Sequence, residues 1–172
     1  MLISYKEFSI RDWLLSDIKS LVMQASNPII PRYMRNTFPS PYTELDALKW
    51  VDENINSKVK SHFAVCKNDN VIGGIGIVLQ DDIMCKNADL GYWINPDYWG
   101  QGIMSILIGL FCDYVWQNFD IVRIEAFVFS ENKSSAKVLV KNGFILESVM
   151  KKKYFKNSNY SDALCYVLYK NI

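Results

Sequence analysis

The strongest structural signal in this chain is the segment Leu90-Gly91-Tyr92-Trp93-Ile94-Asn95-Pro96-Asp97-Tyr98-Trp99-Gly100-Gln101-Gly102-Ile103-Met104-Ser105. Its first five residues predict a strand, and an apolar helix is expected to begin directly after the two glycines of the turn. Backbone N–H groups at a helix start have no partner inside the helix, and the helix dipole adds partial positive charge there. Glycine also lets a ligand approach the main chain closely. The segment therefore favours a phosphate-binding site.

Length and composition indicate one globular domain covering residues 1–172, of which 50% are hydrophobic. Nineteen basic and eighteen acidic residues leave a net charge of +1, which gives no reason to expect a nucleic-acid partner. The N-terminus lacks a signal-peptide pattern, and no apolar run reaches the roughly 18 residues of a membrane span. We expect a soluble, cytoplasmic protein with no membrane partner. The sequence leaves open whether it is a monomer or a homodimer.

The cysteines and the single histidine give no sign of a metal or disulfide site. Cys66, Cys85, Cys112 and Cys165 lie far apart without a C-x-x-C pair, which predicts reduced thiols. His62 has no cysteine pair at zinc-site spacing, so no metal is expected. His62 directly precedes an apolar run and is expected to begin a strand.

Hydrophobic periodicity alternates along the chain between strand and helix patterns. The expected order is strand, two helices, three strands, helix, strand, helix and two strands, with the first strand at Phe8–Arg11. Ser16-Asp17 is expected to supply the N-cap of the first helix, and Thr43 to begin the second. This order predicts an α/β sandwich around a mixed sheet.

Three further glycines, Gly73, Gly74 and Gly76, interrupt the predicted strand Val71–Leu79. Glycine weakens a strand, because it brings no side chain to pack. It often marks a bulge or a place where another backbone approaches closely. Either feature is expected in this strand.

Two common phosphate sites are disfavoured by the residues of the turn. A Rossmann site requires G-x-G-x-x-G in the first strand–helix–strand unit, but Ser105 occupies the third glycine position and the turn lies late in the chain. A P-loop requires G-K-[ST], which the sequence lacks. The sequence therefore favours neither a Rossmann site nor a P-loop.

The run from Ala88 to Met104 resembles the acetyl-CoA-binding motif of GCN5-related N-acetyltransferases (GNAT). It is most similar to the branch that acetylates the N-termini of ribosomal proteins. The first and last positions of the family's [QR]-x-x-G-x-[GA] loop are departures, since Trp99 and Met104 stand there. Three further segments resemble this branch in the expected order: Ser9–Arg11 with Asp17, Pro41–Val51, and Glu131–Phe144.

The resemblance implies the GNAT fold, a single domain with a mostly antiparallel seven-stranded sheet and about four helices. It implies transfer of an acetyl group from acetyl-CoA to a primary amine. The acceptor is expected to be a protein N-terminal amino group or a small amine such as a polyamine or aminoglycoside. A CoA-binding module without turnover is the alternative from a different class.

The resemblance also assigns site residues. Amines are protonated near neutrality, so a base must take a proton directly or through water. Asp89 matches the acidic position on the family's central strand and is the favoured base; Glu125 is the second candidate. Ser135 is the candidate acid for the departing thiolate. The cofactor-binding residues implied are Trp93, Ile94, Asn95, Trp99, Gly100, Gln101, Gly102, Ile103, Met104, Ser105 and Asn132.

Each assignment has a structural alternative. Asp89 and, more strongly, Glu125 are open to a role as solvated or ion-paired strand carboxylates. Ser134 or Ser135 is open to a role as the cap of a helix. Aromatic residues are candidates for the wall of an acceptor groove, with core packing as the alternative: Tyr33, Phe38, Tyr42, Trp93 and Tyr154.

Overall fold

The computed structural model describes residues 2–170, which form eight strands and four α-helices. The strands belong to one mixed sheet in the order β1-β2-β3-β4-β5-β6-β8-β7, in which β5 and β6 run parallel. This confirms the expected α/β fold, with one strand more than the seven predicted. In chain order the elements are β1 (Leu2–Tyr5), β2 (Phe8–Arg11), α1 (Ile18–Ala25), α2 (Glu44–Asn56), β3 (His62–Lys67), β4 (Asn70–Leu79), β5 (Asn87–Ile94), α3 (Ile103–Asn118), β6 (Arg123–Phe129), α4 (Lys133–Lys141), β7 (Ile145–Lys156) and β8 (Asn159–Tyr169).

The additional strand is β1, at the edge of the sheet. It pairs antiparallel with β2, with Leu2 opposite Arg11 and Tyr5 opposite Phe8. A tight turn joins the two strands, and Lys6 in this turn has a φ of +53°. Leu2 is 71% exposed, so β1 buries little apolar surface. A short edge strand of this kind leaves only a weak hydrophobic pattern in the sequence.

The chain forms two compact units. The first comprises the chain up to Gly76 together with Tyr92–Ile103, and the second comprises Ile77–Gly91 together with the chain from Met104 onward. The strands β4 and β5 each contribute residues to both units. No helix formed by residues 2–170 is long and apolar enough to span a membrane.

The core of the first unit lies where α1 and α2 meet the sheet. Leu21 of α1 and Val51 of α2 are fully buried beside Ala64 of β3. Burying a leucine or valine side chain stabilises the fold by about 1.5–3 kcal/mol. Thr43 caps α2 as predicted, since its hydroxyl accepts the Asp46 N–H at 3.3 Å. Sequence periodicity therefore located both helices correctly.

Asp17 lies at the N-cap position of α1, but its carboxylate does not cap that helix. It accepts two hydrogen bonds of 2.8 Å from the guanidinium of Arg11 and one of 2.9 Å from the Leu14 N–H. Asp17 is only 3% exposed, so this bidentate ion pair compensates the cost of burying its charge. The same hydrogen bond raises the pKa of Arg11. The expected capping interaction is replaced by an ion pair.

In the second unit, α3 packs through a buried apolar face that includes Leu107, Ile108 and Phe111. Three of the four free cysteines, Cys66 in the first unit and Cys112 and Cys165 in the second, are buried, and Cys85 is exposed. Burial raises the pKa of Cys66 and Cys112 to about 12, which keeps both protonated near neutrality. These buried thiols behave as core residues.

Candidate active site

The turn between β5 and α3 has an open main chain. Gly100 and Gly102 have φ values of +74° and +76°, in the left-handed region that strains any other residue. A Cβ atom built on either glycine would meet nothing within 4 Å. Met104, which departs from the family loop, is only 6% exposed, so its side chain packs inside the protein. The turn therefore leaves space beside backbone N–H groups at a helix start.

Hydrogen bonds within the turn hold it in shape. The Trp99 N–H donates to the Pro96 carbonyl, and the Trp99 indole donates to the Ile94 carbonyl, both at 2.9 Å. The Gln101 side chain donates to the Asp97 carbonyl at 2.9 Å. Because these side chains serve the turn itself, the groups available for an anion are the main-chain N–H groups at the start of α3.

The end of β5 lies against the glycines of β4. A Cβ atom on Gly73 would come within 2.3 Å of the Trp93 carbonyl oxygen, and one on Gly74 within 2.9 Å of the Trp93 indole nitrogen. The Asn95 N–H donates to the Ile72 carbonyl at 2.8 Å. Both expectations for these glycines are confirmed: β5 packs closely against Gly73 and Gly74, and the β3–β4 register shifts between the pairs Val65–Gly73 and Cys66–Val71.

The two candidate bases lie opposite each other. Asp89 on β5 and Glu125 on β6 are register partners in the parallel pair, and both are half-buried. Glu125 accepts a hydrogen bond of 2.6 Å from Arg123 Nε. Glu125 thus takes the ion-paired role that the sequence left open for it.

Arg123 is shared between Glu125 and a second carboxylate, Glu147. Its Nη1 lies 2.8 Å from Glu147 Oε1, and the hydroxyl of Tyr169 donates to the same oxygen at 2.7 Å. Hydrogen bonds from Arg123 and then Tyr169 lower the pKa of Glu147 to about 2. The hydrogen bond to Glu147, followed by the one to Glu125, raises the pKa of Arg123 further above its ordinary value. This ion-paired cluster, built from β6, β7 and β8, fixes the Glu125 carboxylate beside Asp89.

Asn132 and Ser135 meet at the start of α4. Asn132 is the N-cap, and its Oδ1 accepts the Ser135 N–H at 3.2 Å. The cap is therefore Asn132 rather than Ser134 or Ser135. The cap uses the backbone N–H of Ser135, whose side chain is half-buried.

Asn142 is a site neighbour that the sequence analysis missed. Its Nδ2 donates to Ser105 Oγ at 3.3 Å and to the Val138 carbonyl at 2.9 Å. A Cβ atom on Gly109 would lie 2.9 Å from Asn142 Oδ1, so glycine lets the end of α4 approach α3. The side chain of Ser105, a predicted cofactor residue, is thereby held by α4. Nothing local to Asn142 signals this contact.

Most of the aromatic candidates pack against other rings. Phe38 lies 5.2 Å from Tyr42 and 6.0 Å from Trp93 between ring centroids, and Tyr42 is 7% exposed. In the second unit, Tyr154 packs in a tilted arrangement against Phe129, with ring centroids 4.3 Å apart. Core packing thus accounts for Tyr42, while the half-buried Phe38 and Trp93 keep part of their surface exposed.

His62 and Trp13 also belong to the interior of the first unit. His62 begins β3 as predicted, its ring packs edge-on against Trp50 at 5.5 Å, and burial lowers its pKa. The indole N–H of Trp13 is buried without a hydrogen-bond partner in the described part of the chain. Residues 2–170 contain no group of three His, Cys, Asp or Glu side chains arranged to hold a metal ion.

Comparison with known sequences places residues 8–145 in a family model described as an acetyltransferase (GNAT) domain. The ribosomal-protein-serine acetyltransferase of Escherichia coli (strain K12) is 30% identical over 127 residues, covering 72% of this chain and 70% of that protein. The spermidine N(1)-acetyltransferase of the same strain is 24% identical over 132 residues, covering 76% of this chain and 70% of that protein.

Solved structures give the same fold. A GNAT-family acetyltransferase from Bacillus anthracis superimposes with a TM-score of 0.84 at 22% identity, covering 98% of each chain. RimL, a ribosomal L7/L12 alpha-N-protein acetyltransferase in complex with coenzyme A, superimposes with a TM-score of 0.85 at 21% identity, covering 98% of each chain. At these identities the likeness establishes the fold.

Proposed function

The chain belongs to the GNAT acetyltransferase family, and we propose that it transfers the acetyl group of acetyl-CoA to the α-amino group at a protein N-terminus. The observation that carries this proposal is the open glycine turn. Gly100 and Gly102 leave free space beside the main chain where α3 begins, as a pyrophosphate requires. The relative that is 30% identical acts on a ribosomal protein, which favours the protein acceptor.

In this proposal acetyl-CoA supplies an activated acyl carbon, and the chain binds it through main-chain groups. The N–H groups from Gln101 to Ser105 bind the pyrophosphate, beside Trp99 and Gly100. Trp93 and Ile94 lie along the pantetheine arm, and Asn95 supports the strand end where the turn begins. The family resemblance also names Asn132, the N-cap of α4, as a cofactor-binding residue.

The reaction needs a neutral amine and a protonated leaving group. The amine nitrogen forms a bond to the thioester carbon, the carbon–sulfur bond breaks, and the sulfur leaves as a thiolate. We assign Asp89, acting through water, as the base that takes the amine proton. Glu125, the second candidate, is held as an ion pair with Arg123. Ser135 is the assigned proton donor to the thiolate.

Two carboxylates of the first unit are already engaged inside the protein. The buried Asp17 is neutralised by Arg11, and Asp46 is hydrogen-bonded to Thr43. A polyamine site needs carboxylates that remain available to ammonium groups. Spermidine is nevertheless the second candidate, since the spermidine N(1)-acetyltransferase aligns with 76% of this chain.

The test is acceptor-dependent release of CoA from acetyl-CoA. The panel contains peptides with a free N-terminal serine or alanine, the same peptides with a blocked N-terminus, spermidine and an aminoglycoside. Release with free peptides but not with blocked ones is the expected result, and mass spectrometry locates the acetyl group. Release with spermidine alone would replace the protein acceptor by a small amine. CoA binding without any release would identify a binding module.

Asp89→Asn tests the assigned base. Turnover is expected to fall most below the pKa of the amine, about 8 for an α-amino group, where a proton must be removed. Glu125→Gln is the matched control, because it neutralises the ion-paired carboxylate on the neighbouring strand. A pH–rate profile of Asp89→Asn that matches the unsubstituted protein would exclude Asp89 as the base.

A further inference from the structure

Asn95, where β5 ends and the glycine turn begins, is a buried polar residue with four hydrogen bonds. Its side chain and backbone together are only 6% exposed. Its N–H donates to Ile72 at 2.8 Å and its carbonyl accepts the Tyr98 N–H at 3.0 Å. Its Oδ1 accepts the Asp97 N–H at 2.9 Å, and its Nδ2 donates to Gln24 Oε1 at 2.6 Å. Every polar group of this residue is therefore used inside the protein.

The Asp97 N–H and Gln24 together fix the orientation of the Asn95 amide. Oδ1 must face Asp97, because the Asp97 N–H can only donate. The Nδ2 group then points away from the turn and requires an acceptor, which Gln24 supplies with its side-chain oxygen. Of the four bonds of Asn95, this one reaches a helix, and it joins residues 71 positions apart.

Gln24 lies in the last turn of α1, next to a second tether. Two residues later, Ser26 Oγ donates to the Tyr42 carbonyl at 3.2 Å. Tyr42 packs against Phe38, whose ring in turn contacts Trp93. The end of α1 is thus bonded both to the start of the glycine turn and to the aromatic cluster of Phe38, Tyr42 and Trp93.

We propose that Gln24 is a positioning residue for the glycine turn. By holding the Asn95 amide, it keeps the 96–98 turn capped and presents the main chain of Gly100 and Gly102 in the conformation that binds the pyrophosphate of CoA. This inference rests on the proposed function, because it assigns CoA to the turn. Gln24 lies outside the segments that resemble the family motifs.

The test compares three variants of the full chain. Gln24→Met removes the acceptor oxygen at similar length, Gln24→Glu keeps an acceptor oxygen, and Gln117→Met makes the same change at an exposed position on α3. Hydrogen exchange of residues 95–102 without ligand reports the order of the turn. Calorimetry with CoA reports binding, and the midpoint of thermal unfolding reports global stability.

Gln24→Met is expected to speed exchange in residues 95–102 and to weaken CoA binding about tenfold, the scale of one lost hydrogen bond. Gln24→Glu and Gln117→Met are expected to stay within about twofold of the unsubstituted protein in CoA affinity. Unchanged exchange in residues 95–102 of Gln24→Met would overturn the role of Gln24. Equal weakening by Gln24→Glu and Gln24→Met would overturn it as well. Failure of the unsubstituted protein to bind CoA would instead overturn the proposed function.

Discussion

Glycine serves opposite purposes in two regions of the first unit, β4 and the turn that precedes α3. In β4 there is no room for a side chain: a Cβ atom on Gly73 would lie 2.3 Å from the Trp93 carbonyl oxygen, and one on Gly76 2.5 Å from the His62 ring. In the turn there is room, but Gly100 and Gly102 have positive φ values. The first region needs glycine because of its neighbours, and the second because of its own backbone.

Gly73→Ala is expected to have the largest effect on the crowded side of this comparison. The new methyl group meets main-chain atoms of β5 that cannot rotate away, so β4 and β5 must separate. The free energy of unfolding should fall by about 3 kcal/mol or more, measured by urea denaturation. A loss below about 0.5 kcal/mol would show that β5 can shift to accommodate the methyl group. Close packing would then not explain why β4 has glycine here.

Gly102→Glu tests the other region, the glycine turn before α3. The side chain fits into empty space, so the stability cost is limited to backbone strain of about 1–2 kcal/mol. CoA binding should be abolished, because a carboxylate then lies where the phosphate binds. Calorimetry with CoA is the measurement, and Gly102→Ala, which carries the same strain without the charge, is the control. If both variants bind CoA like the unsubstituted protein, the turn is not the cofactor site.

His62, whose ring lies against Gly76 of β4, is expected to make the free energy of unfolding depend on pH. Burial lowers the pKa of His62 below its ordinary value of 6.5, so below pH 6.5 the unfolded chain binds a proton that the folded protein resists. The contribution of the neutral His62 to the free energy of unfolding is therefore fully present above pH 6.5, and it is lost as the pH falls toward the pKa of His62 in the folded protein. Urea unfolding between pH 7.5 and pH 5.5 should show this decline in the unsubstituted protein and a flatter profile in His62→Gln. Identical slopes would mean that the ring titrates as if exposed.

Gly91→Ala should have the smallest effect, and it calibrates the other glycine substitutions. Gly91 lies on β5, its Cβ would meet nothing within 4 Å, and its φ is not positive. Neither reason for glycine applies, so the free energy of unfolding should change by less than about 0.5 kcal/mol. A large loss here would mean that crowding and φ do not suffice to explain where this chain requires glycine.

The elements of the fold were largely predictable because periodicity is a local property. The amphipathic patterns located α1 and α2, and Thr43 proved to be the cap of α2 as expected. The edge strand β1 was missed because it buries little surface. The carboxylate of Asp17 does not cap α1, because it is hydrogen-bonded to the guanidinium of Arg11, which the fold brings close.

For the candidate site, the sequence named residues but did not indicate how their side chains pair. The glycine turn, Asp89 and Glu125 were named from the motif, and the structure sets the two carboxylates opposite each other. Only the three-dimensional structure shows that Glu125 pairs with Arg123 and that Asn132 caps α4, because both interactions depend on side-chain geometry. The roles of these residues in cofactor binding and catalysis stay predictions until CoA binding and turnover are measured.

The linear sequence is enough to establish the strand, glycine turn and helix start, and with them the family, because these features arise from residues adjacent in the chain. It contains no measure of the space around a residue. The fold alone distinguishes the crowded glycines of β4 from the strained glycines of the turn. It also brings Gln24 to Asn95 across 71 positions. Packing and hydrogen bonding act between neighbours in space, and those neighbours exist only once the sheet and helices have assembled.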